Sequence, residues 1–417
     1  MSSAKPPSFH PTLDVHAVGH GLPYWRLSSF YFFYFATLGA LLPYWGLYLQ
    51  SLGFGPGAIG MLMAVLMVTK IVAPNVWSIL ADRRRDRLAV VRWASALAAL
   101  GFLGVYNATG FWPLVLTLAL FSFFWNAALP QFEAVTLNHL GRDADRYARI
   151  RVWGSVGFIL TAWLLGWALA FTSWQVIPVV VLGLMVGIWY ASLVVPHDGR
   201  VTGEASHEPL FSVLRRPEVA ALLSACFLMQ LSHGPFYTFY SIYLEGYGYS
   251  SMAIGGLWGF GVLAEVVVFL FMPQLLRTFG ATRLFACCFV LTTLRWLMVA
   301  LFPESLVLQG IAQSLHAASF GVYHAVAIQL IHVFFVGRLQ GRGQALYSSL
   351  SFGAGGALGS LLSGELWQRV GPTNTYLIVA GVSSLGFIIA WRWIRDGEAM
   401  GPAHRLAKSA EGVPRDD

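Results

Sequence analysis

Six ionisable side chains stand out inside long apolar stretches of this sequence. They are Lys70, Glu133, Glu265, Arg295, His316 and His324. In the interior of a bilayer a charged group costs about 2.5 to 3.5 kcal/mol on insertion scales, so it needs a partner, a wet cavity or a function. Ammonium and guanidinium groups attract anions, whereas carboxylates and imidazoles exchange protons. The set therefore predicts a site that combines anion binding with proton exchange.

The apolar stretches that hold these groups are typical of membrane spans. Of the 417 residues 57% are hydrophobic and 11% are charged, whereas a soluble domain has about 25% charged residues. A helical span needs roughly 20 apolar residues, and continuous runs exclude the alternating pattern of a β-barrel. We count about twelve runs, near 25–50, 57–81, 88–107, 111–138, 149–171, 174–195, 216–244, 251–273, 282–302, 304–332, 340–366 and 370–394.

Charge is distributed along the chain in the way expected of a polytopic membrane protein. The net charge is +7, and 23 of the 26 Lys and Arg residues fall in the N-terminal segment, the even-numbered loops or the C-terminal end. By the positive-inside rule this places both termini in the cytoplasm. Topology thus explains the positive charge, and no nucleic-acid partner is expected. The three cysteines lie inside spans without metal-like spacing, so no metal site is predicted.

The chain contains an internal repeat. The segment from Tyr48 to Gly60 recurs from Tyr243 to Gly255, with six of thirteen positions identical. Such self-similarity at nearly half the chain length predicts an all-α membrane protein of twelve helices in two pseudo-symmetric six-helix bundles. The predicted boundaries are a cytoplasmic segment 1–24, a first bundle 25–195, a linker 196–215, a second bundle 216–395 and a tail 396–417.

The same register relates two of the costly charges. Lys70 and Glu265 are 195 positions apart, as are Tyr48 and Tyr243, so each half carries a charge at the equivalent place but of opposite sign. We expect both to face a cavity between the halves, where Lys70 attracts an anion and Glu265 cycles a proton. The alternative is purely structural: buried ion pairs of Lys70 with Glu133 and of Glu265 with Arg295 hold the helices together.

Polar residues also align at helical spacing in several spans. Gln313, His316 and His324 share one face of span 10, and Asn126 lies seven residues before Glu133 in span 4. We expect a substrate site lined by Lys70, Arg295, Tyr34, Asn126, Tyr237, Trp258 and Gln313, with proton coupling by Glu133, Glu265 and His316. Interhelical hydrogen bonding is the simpler explanation for any single polar residue, and most of the aromatic residues are expected to be packing or interfacial anchors.

An enzyme of the membrane interior is the rival class. The segment Gly154-Ser-Val-Gly157 superficially resembles the motif of intramembrane serine proteases, but Ser155 would need a histidine base on a nearby span. No histidine occurs between His139 and His197, and no phosphate-binding Gly-rich loop is present. The sequence therefore predicts that the chain is not an enzyme and carries no ATPase of its own.

Five segments together resemble the major facilitator superfamily, and within it the phenylpropionate permease group, which is related to lactose and nucleoside proton symporters. They are Leu42-Pro-Tyr-Trp-Gly-Leu-Tyr-Leu49 followed by Gly53 and Ile59-Gly60, Arg149-Ile-Arg-Val-Trp-Gly-Ser-Val-Gly-Phe158, Gly256-Leu-Trp-Gly-Phe-Gly-Val-Leu-Ala-Glu265, Arg295-Trp296, and Leu308-Gln-Gly-Ile-Ala-Gln-Ser-Leu-His316. The resemblance covers nearly the whole chain and implies transport by alternating access with protons as the driving ion.

The resemblance also implies roles for particular residues. In the related lactose permease an acid on span 8, an arginine on span 9 and a histidine followed by an acid on span 10 form the coupling site. Glu265, Arg295 and His316 resemble the first three, but no acid follows His316 in span 10, which leaves Glu265 or Glu133 as the proton carrier. The family's loop motif is partly matched, so gating is expected to involve Asp82, Arg83, Arg87, Arg277, Arg283 and Arg151.

These expectations combine into one hypothesis for the function. The chain is expected to be a multi-pass inner-membrane symporter of protons with a small organic solute, in particular an aromatic, aryl-propionate-type monocarboxylate. Lys70 and Arg295 would neutralise the carboxylate, while aromatic residues of spans 1 and 7 hold the ring. The alternative is a sugar or nucleoside symporter, or an exporter of hydrophobic compounds, with the same fold. No cofactor other than the proton gradient is expected, and the chain is expected to act as a monomer in the lipid bilayer.

Overall fold

The computed structural model describes residues 22–197, 213–336 and 339–394, and every regular element within those ranges is a helix. The predicted N-terminal segment, most of the predicted linker and the C-terminal tail lie outside the described residues. An all-helical fold agrees with the composition, because a helix pairs its own backbone groups without help from water.

The first half of the chain forms six long helices. They are α1 (Tyr24–Ser51), α2 (Pro56–Arg84), α3 (Arg87–Phe102, continued by a 3₁₀ turn Leu103–Tyr106), α4 (Phe111–Leu140), α5 (Tyr147–Leu169) and α6 (Val176–Val194). Each of these helices begins and ends within a few residues of a predicted span. A 3₁₀ turn, Gly141–Arg146, connects α4 to α5. Short connections follow because the chain must turn back at each membrane surface.

The second half contains more, shorter helices over a similar length of chain. They are α7 (Pro217–Ser232), α8 (Gly234–Gly246), α9 (Ser251–Phe279), α10 (Ala281–Leu301), α11 (Leu306–Ser314), α12 (Tyr323–Phe334), α13 (Gln340–Ser348) and α14 (Gly356–Trp393). A π-helical turn, Ala317–Val322, joins α11 to α12, and a second, Ser349–Gly355, joins α13 to α14. Spans 7, 10 and 11 are therefore each interrupted near their middle.

Local residues set several helix ends. Asp86 begins α3 by accepting a hydrogen bond from the Ala89 backbone at 2.8 Å, and Ser250 and Ser305 cap α9 and α11 in the same way. Gly280 separates α9 from α10 with a φ of 75°, a left-handed conformation that glycine adopts without strain. These polar caps lie at the predicted loops and explain why the helix boundaries were readable from the sequence.

The described residues contain eleven helical stretches long and apolar enough to cross a membrane. The last of them, Gln340–Trp393, has 54 residues, and its helical conformation breaks at Gly371, where φ is 83° and ψ is 171°. At about 1.5 Å per residue such a stretch far exceeds a hydrocarbon core of about 30 Å. It covers both of the last two predicted runs, 340–366 and 370–394, so the described residues show eleven such stretches where the sequence predicts twelve.

The two halves pack closely at the end of the bundle away from the chain termini. Tyr44 of α1 donates a hydrogen bond to the Ala162 carbonyl at 2.5 Å and lies 3.3 Å from the carbonyl oxygen of Ser251 in the second half. The Ser251 hydroxyl in turn donates to the Gly166 carbonyl of α5 at 2.9 Å. At Gly255 an added Cβ would meet both Tyr44 and Ala162. Only glycine lets α9 approach α5 this closely, so this end is sealed by backbone packing.

Candidate functional site

The second half holds a buried cluster around Arg295 of α10, whose side chain is 0% exposed. One guanidinium nitrogen donates to Ser319 Oγ at 2.9 Å and lies 3.5 Å from His233 Nε2, and another donates to Gln313 Oε1 at 3.2 Å. The guanidinium carbon lies 4.2 Å from the ring centre of Phe236. All these partners are neutral, so within the described residues this buried cation has no carboxylate partner.

The helix interruptions position this cluster. His233 lies at the break between α7 and α8, where its Nδ1 is 2.8 Å from the Met229 carbonyl, and Ser319 lies in the π-helical turn after α11. Both side chains reach Arg295 because the backbone departs from regular helix at those points. π-helical turns of this kind occur frequently at functional sites.

Glu265 of α9 and His316 lie beside the cluster. His316 Nε2 is 3.9 Å from Glu265 Oε2, and the two side chains are 9% and 17% exposed. Gly261 faces Gln313 and His316, and Gly321 faces the Glu265 side chain, so that a Cβ at either position would crowd the pair. The predicted proton-coupling residues of the second half thus meet in the structure, whereas Glu265 forms no ion pair with Arg295.

Several buried donors and acceptors of the second half have no hydrogen-bond partner. Among them are Gln230 Nε2, Arg295 Nε, Gln313 Nε2 and His316 Nδ1. Buried polar groups are normally paired, because each unpaired group costs about 1 to 3 kcal/mol. A set of unpaired groups on neighbouring side chains is the pattern expected where a polar ligand or water completes the network.

In the first half, Glu133 of α4 accepts a hydrogen bond from the Tyr147 hydroxyl at 3.2 Å. Tyr31 lies next to this pair and donates to Thr136 Oγ1 at 3.0 Å. Glu133 is only partly buried and belongs to no ion pair within 4.0 Å among the described residues. The first half therefore has its own carboxylate, held by a phenol.

Arg151 of α5 is a cation that acts electrostatically on both carboxylates. Its guanidinium carbon lies 3.8 Å from the ring centre of Phe35, and electrostatic attraction acts between it and the carboxylates of Glu133 and Glu265. No hydrogen bond or ion pair links it to any described residue, and its side chain is partly exposed. Gly154 gives it room, since a Cβ there would meet both Arg151 and Phe35. The sequence assigned Arg151 to the gate, but the structure places it in the interior between the halves.

Lys70 of α2 also lacks a partner. Its ammonium makes no hydrogen bond or ion pair with any described residue, and its side chain is partly exposed. The neighbouring Ile71 and Met67 pack against Gly353 and Gly356 of the second half, so this part of α2 lies at the boundary between halves. The alternative ion pairs, Lys70 with Glu133 and Glu265 with Arg295, are therefore not formed.

The remaining predicted substrate residues divide into buried and accessible ones. Tyr34 stacks on Trp125 at 5.0 Å and is 4% exposed, Asn126 donates to Thr69 Oγ1 at 2.9 Å, and Trp258 donates to Ser241 Oγ at 3.0 Å. These three groups are occupied with packing and interhelical hydrogen bonds. Tyr237 is partly exposed and stacks on His233, so it remains beside the Arg295 cluster.

The other predicted gating residues lie at the end of the bundle opposite Tyr44 and Ser251. Arg87 donates to Asp82 Oδ1 at 2.7 Å and to Gln131 Oε1 at 2.8 Å, which ties the α2–α3 connection to α4. Arg83 and Arg277 are exposed, and Arg283 lies in the first turn of α10. The first copy of the loop motif thus carries an ion pair, between Arg87 and Asp82.

Several residues of the site were missed by sequence reasoning, among them Ser319, Tyr147 and Phe35. Ser319 lies three residues after His316 and so on the same helical face, which is a signal that spacing contained. Tyr147 and Phe35 gave no comparable signal, because tyrosine and phenylalanine occur throughout the spans of this aromatic-rich chain. Their roles follow only from what they touch.

Comparison with known proteins identifies relatives over most of the chain. The model of the MFS_1 like family matches residues 24–378. The probable 3-phenylpropionic acid transporter of Escherichia coli (strain K12) is 27% identical over 359 residues, which cover 83% of this chain and 91% of that protein. The maltose permease of Geobacillus stearothermophilus is 26% identical over 86% of this chain and 92% of that protein.

Solved structures share the fold. The nucleoside transporter NupG aligns with a TM-score of 0.77 at 18% identity, over 89% of this chain and 99% of that one. A bacterial homologue of the human lysosomal transporter Spinster, crystallised in an inward-facing and unoccupied conformation, aligns with a TM-score of 0.63 at 13% identity, over 92% of this chain and 100% of that one. At these identities the likeness shows the fold alone.

Proposed function

The chain belongs to the MFS_1-like family of membrane transporters and is not an enzyme. From that premise we propose that it is a proton-coupled symporter that takes up a small aromatic monocarboxylate of the aryl-propionate type by alternating access. The observation that carries the proposal is Arg151, a cation in the bundle interior without a hydrogen-bonded or ion-paired partner among the described residues. A carboxylate from the solute supplies that partner.

The charge balance of the interior supports an anionic solute. Arg151, Lys70 and Arg295 are cationic and none pairs directly with an acid, while Glu133 and Glu265 are the acids nearby. An isolated cation in the membrane interior is costly, and a bound carboxylate offsets that cost. Arginine also presents two parallel N–H groups that fit a carboxylate, which makes Arg151 the preferred anchor and Lys70 a second attracting charge.

Similarity supports the aromatic part of the solute. The Escherichia coli relative is named a probable transporter of 3-phenylpropionic acid, a monocarboxylate with one aromatic ring. In this chain the ring of Phe35 lies against the Arg151 guanidinium. The partly exposed ring of Tyr237 lies beside the Arg295 cluster. An aryl carboxylate would place its charge on a guanidinium and its ring among these aromatic side chains.

Proton coupling is assigned to Glu265 together with His316, with Glu133 as a second acid. The 3.9 Å separation of Glu265 and His316 is longer than a hydrogen bond, so a proton passes between them through a water molecule. Both groups border the unpaired polar atoms of the second half, so a change in their charge changes the binding of a neighbouring anion.

The proposed topology has twelve crossings with both termini in the cytoplasm of a bacterial cell, and the bilayer is the inner membrane. The break at Gly371 divides the last long stretch into two crossings. The basic residues of the terminal-end loops, including the Arg83 to Arg87 segment, then face the cytoplasm, as the positive-inside rule requires. The sealed end lies toward the outside, so the conformation described above opens inward.

A sugar symporter is the second candidate. The maltose permease relative covers slightly more of this chain, at almost the same identity, than the phenylpropionic acid transporter. The hydrogen-bonding residues Gln230, Gln313 and Tyr237 would suit hydroxyl groups, but the unpaired cations would then remain unpaired. This charge difference is why the carboxylate is preferred.

The direct test is uptake of radiolabelled 3-phenylpropionate by proteoliposomes that contain the purified protein. We expect accumulation when the lumen is alkaline relative to the outside, and collapse of accumulation when a protonophore removes the gradient. A thermal-shift panel of aryl acids, sugars and nucleosides runs beside it, because a ligand that binds only the native state raises its stability. Stabilisation by maltose or a nucleoside but not by the aryl acid would contradict the substrate class, and uptake that ignores the gradient would contradict proton coupling.

A further inference from the structure

A column of stacked rings extends from the candidate coupling site along α11 and α12. His316 stacks on Phe320 with ring centres 5.3 Å apart and planes at 9°, and Phe320 stacks on His324 at 6.3 Å and 15°. Phe236 covers the other side of His316 at 5.8 Å. The two imidazoles therefore belong to one column, with a full phenyl ring between them.

The π-helical turn Ala317–Val322 produces this alignment. Residues four apart in an α-helix are displaced by about 40° around its axis, so that His316 and His324, eight apart, would be rotated well away from each other. A π-helical turn has more residues per turn and removes much of this rotation. Because the turn lies between the two histidines, Phe320 at its centre stacks with both of them.

His324 is arranged as an accessible proton acceptor. Its Nδ1 lies 2.9 Å from the Tyr347 hydroxyl of α13. Its Nε2 has no partner among the described residues and, unlike His316 Nδ1, is not fully buried. Tyr347 is the titratable group in contact with it, and Tyr323 and Cys226 lie behind that phenol. Toward the interior, the neighbouring charged and titratable groups are Arg151, Glu265 and His316. No acid pairs with it in the described structure.

We propose that His324, oriented by Tyr347, is a second proton-accepting group of the transport cycle. It is separated from Glu265 and His316 by the ring of Phe320. The inference rests on the proposed proton-coupled function. A proton leaves the carboxyl group of Glu265, which becomes a carboxylate, and crosses by water to the lone pair of His324 Nε2. The Nδ1–H of the imidazolium keeps its hydrogen bond to the Tyr347 hydroxyl. The Nε2 proton then passes to water on the side of the bundle opposite the sealed end. Phe320 prevents direct transfer between the two imidazoles.

The test compares His324→Gln with wild type and with His332→Gln in proteoliposomes. Glutamine can hydrogen-bond Tyr347 but does not titrate, and His332 is an exposed histidine near the end of the same helix. We expect His324→Gln to reduce gradient-driven uptake by about tenfold and to flatten its dependence on luminal pH. Counterflow, which needs no net proton movement, is expected to remain at the wild-type rate, and His332→Gln to match wild type in both assays.

Tyr347→Phe provides the second variant, because it leaves the imidazole but removes its orienting hydroxyl. It is expected to lower gradient-driven uptake in the same direction and by less. Wild-type pH dependence in His324→Gln would overturn the inference while leaving the proposed function intact, and equal loss of uptake and counterflow, with a lowered melting temperature, would show a structural role and also overturn it. A wild-type protein that ignores the gradient would instead overturn the proposed function itself.

Discussion

The two halves of this transporter share a helical plan but differ in how they treat their polar groups. In the first half α1, α2, α4 and α5 run without interruption, and hydrogen bonds such as Asn126 to Thr69 tie one helix to the next. In the second half the helices break at His233 and at two π-helical turns, and the freed geometry lets side chains converge on Arg295. The two halves of the chain thus have different interiors.

The difference lies in where unpaired charge and unpaired hydrogen bonds are found. Among the described residues, the first half leaves the cations Lys70 and Arg151 without ionic partners. The second half surrounds its cation, Arg295, with neutral groups, and polar atoms of this cluster such as Arg295 Nε and Gln313 Nε2 are unpaired. We interpret the first half as the side that attracts and anchors the solute, and the second half as the side that senses protonation. The following predictions test this division, starting with the largest expected effect.

Replacing Glu265 by Gln should remove the proton-carrying group while keeping its shape. Concentrative uptake should fall by about 100-fold, because the variant cannot exchange a proton, while counterflow persists. Uptake and counterflow in proteoliposomes measure the two activities separately. Glu245→Gln is the matched control, since Glu245 is an exposed carboxylate at the sealed end. Unchanged accumulation in Glu265→Gln would move proton coupling out of the second half.

Replacing Arg151 by Gln should weaken solute binding by about 10- to 100-fold, which corresponds to the 1.5 to 3 kcal/mol of a hydrogen bond to a charged group. The effect should appear as a raised half-saturation concentration in counterflow with aryl acids. Arg149→Gln is the control, because Arg149 is exposed on the same helix. A variant that keeps its affinity for the acid but loses pH dependence would place Arg151 with the proton machinery and break the proposed division.

Gly255 tests whether the close packing of α9 on α5 holds the sealed end shut. In Gly255→Ala the added Cβ meets Tyr44 and Ala162, so the two helices must separate. We expect a shift of the population toward outward opening, seen as about tenfold faster labelling of a cysteine placed at Thr238, where Gly46 packs against the backbone. Gly256→Ala is the control, because no atom lies within 4 Å of its Cβ position. Equal labelling in both variants would show that this packing does not control the equilibrium.

Sequence reasoning recovered the helices and part of the site for identifiable physical reasons. Span positions were readable because apolar runs and capping residues such as Asp86 mark their limits, and Glu265 and His316 were readable because ionisable groups are rare inside spans. The π-helical turns were not readable, since a change of hydrogen-bond register between residues 317 and 322 leaves no trace in hydrophobicity. The position of Arg151 was missed for another reason: its long side chain carries the charge away from the loop that its sequence position suggested.

Asn126 gives the smallest and most specific test of the division between halves. It was expected to bind solute, but its amide donates to Thr69 Oγ1 and to the Leu66 carbonyl at 3.3 Å, and the side chain is 5% exposed. If the first half uses such groups for packing, Asn126→Ala should cost stability and leave solute affinity unchanged. Interhelical hydrogen bonds in membranes contribute about 0.6 kcal/mol on average, so we expect the melting temperature in detergent to fall by about 1 to 3 °C.

The comparison that interprets this result is Gln313→Ala in the second half. Gln313 is equally buried, but its amide nitrogen has no partner and its oxygen accepts from Arg295, so its removal should alter solute affinity and pH dependence as well as stability. Counterflow kinetics at several pH values, measured together with melting curves, separate the two effects for both variants. If Asn126→Ala changed affinity as much as Gln313→Ala, polar side chains of both halves would contact the solute. The two halves would then differ in how they bind solute only through the unpaired cations of the first half.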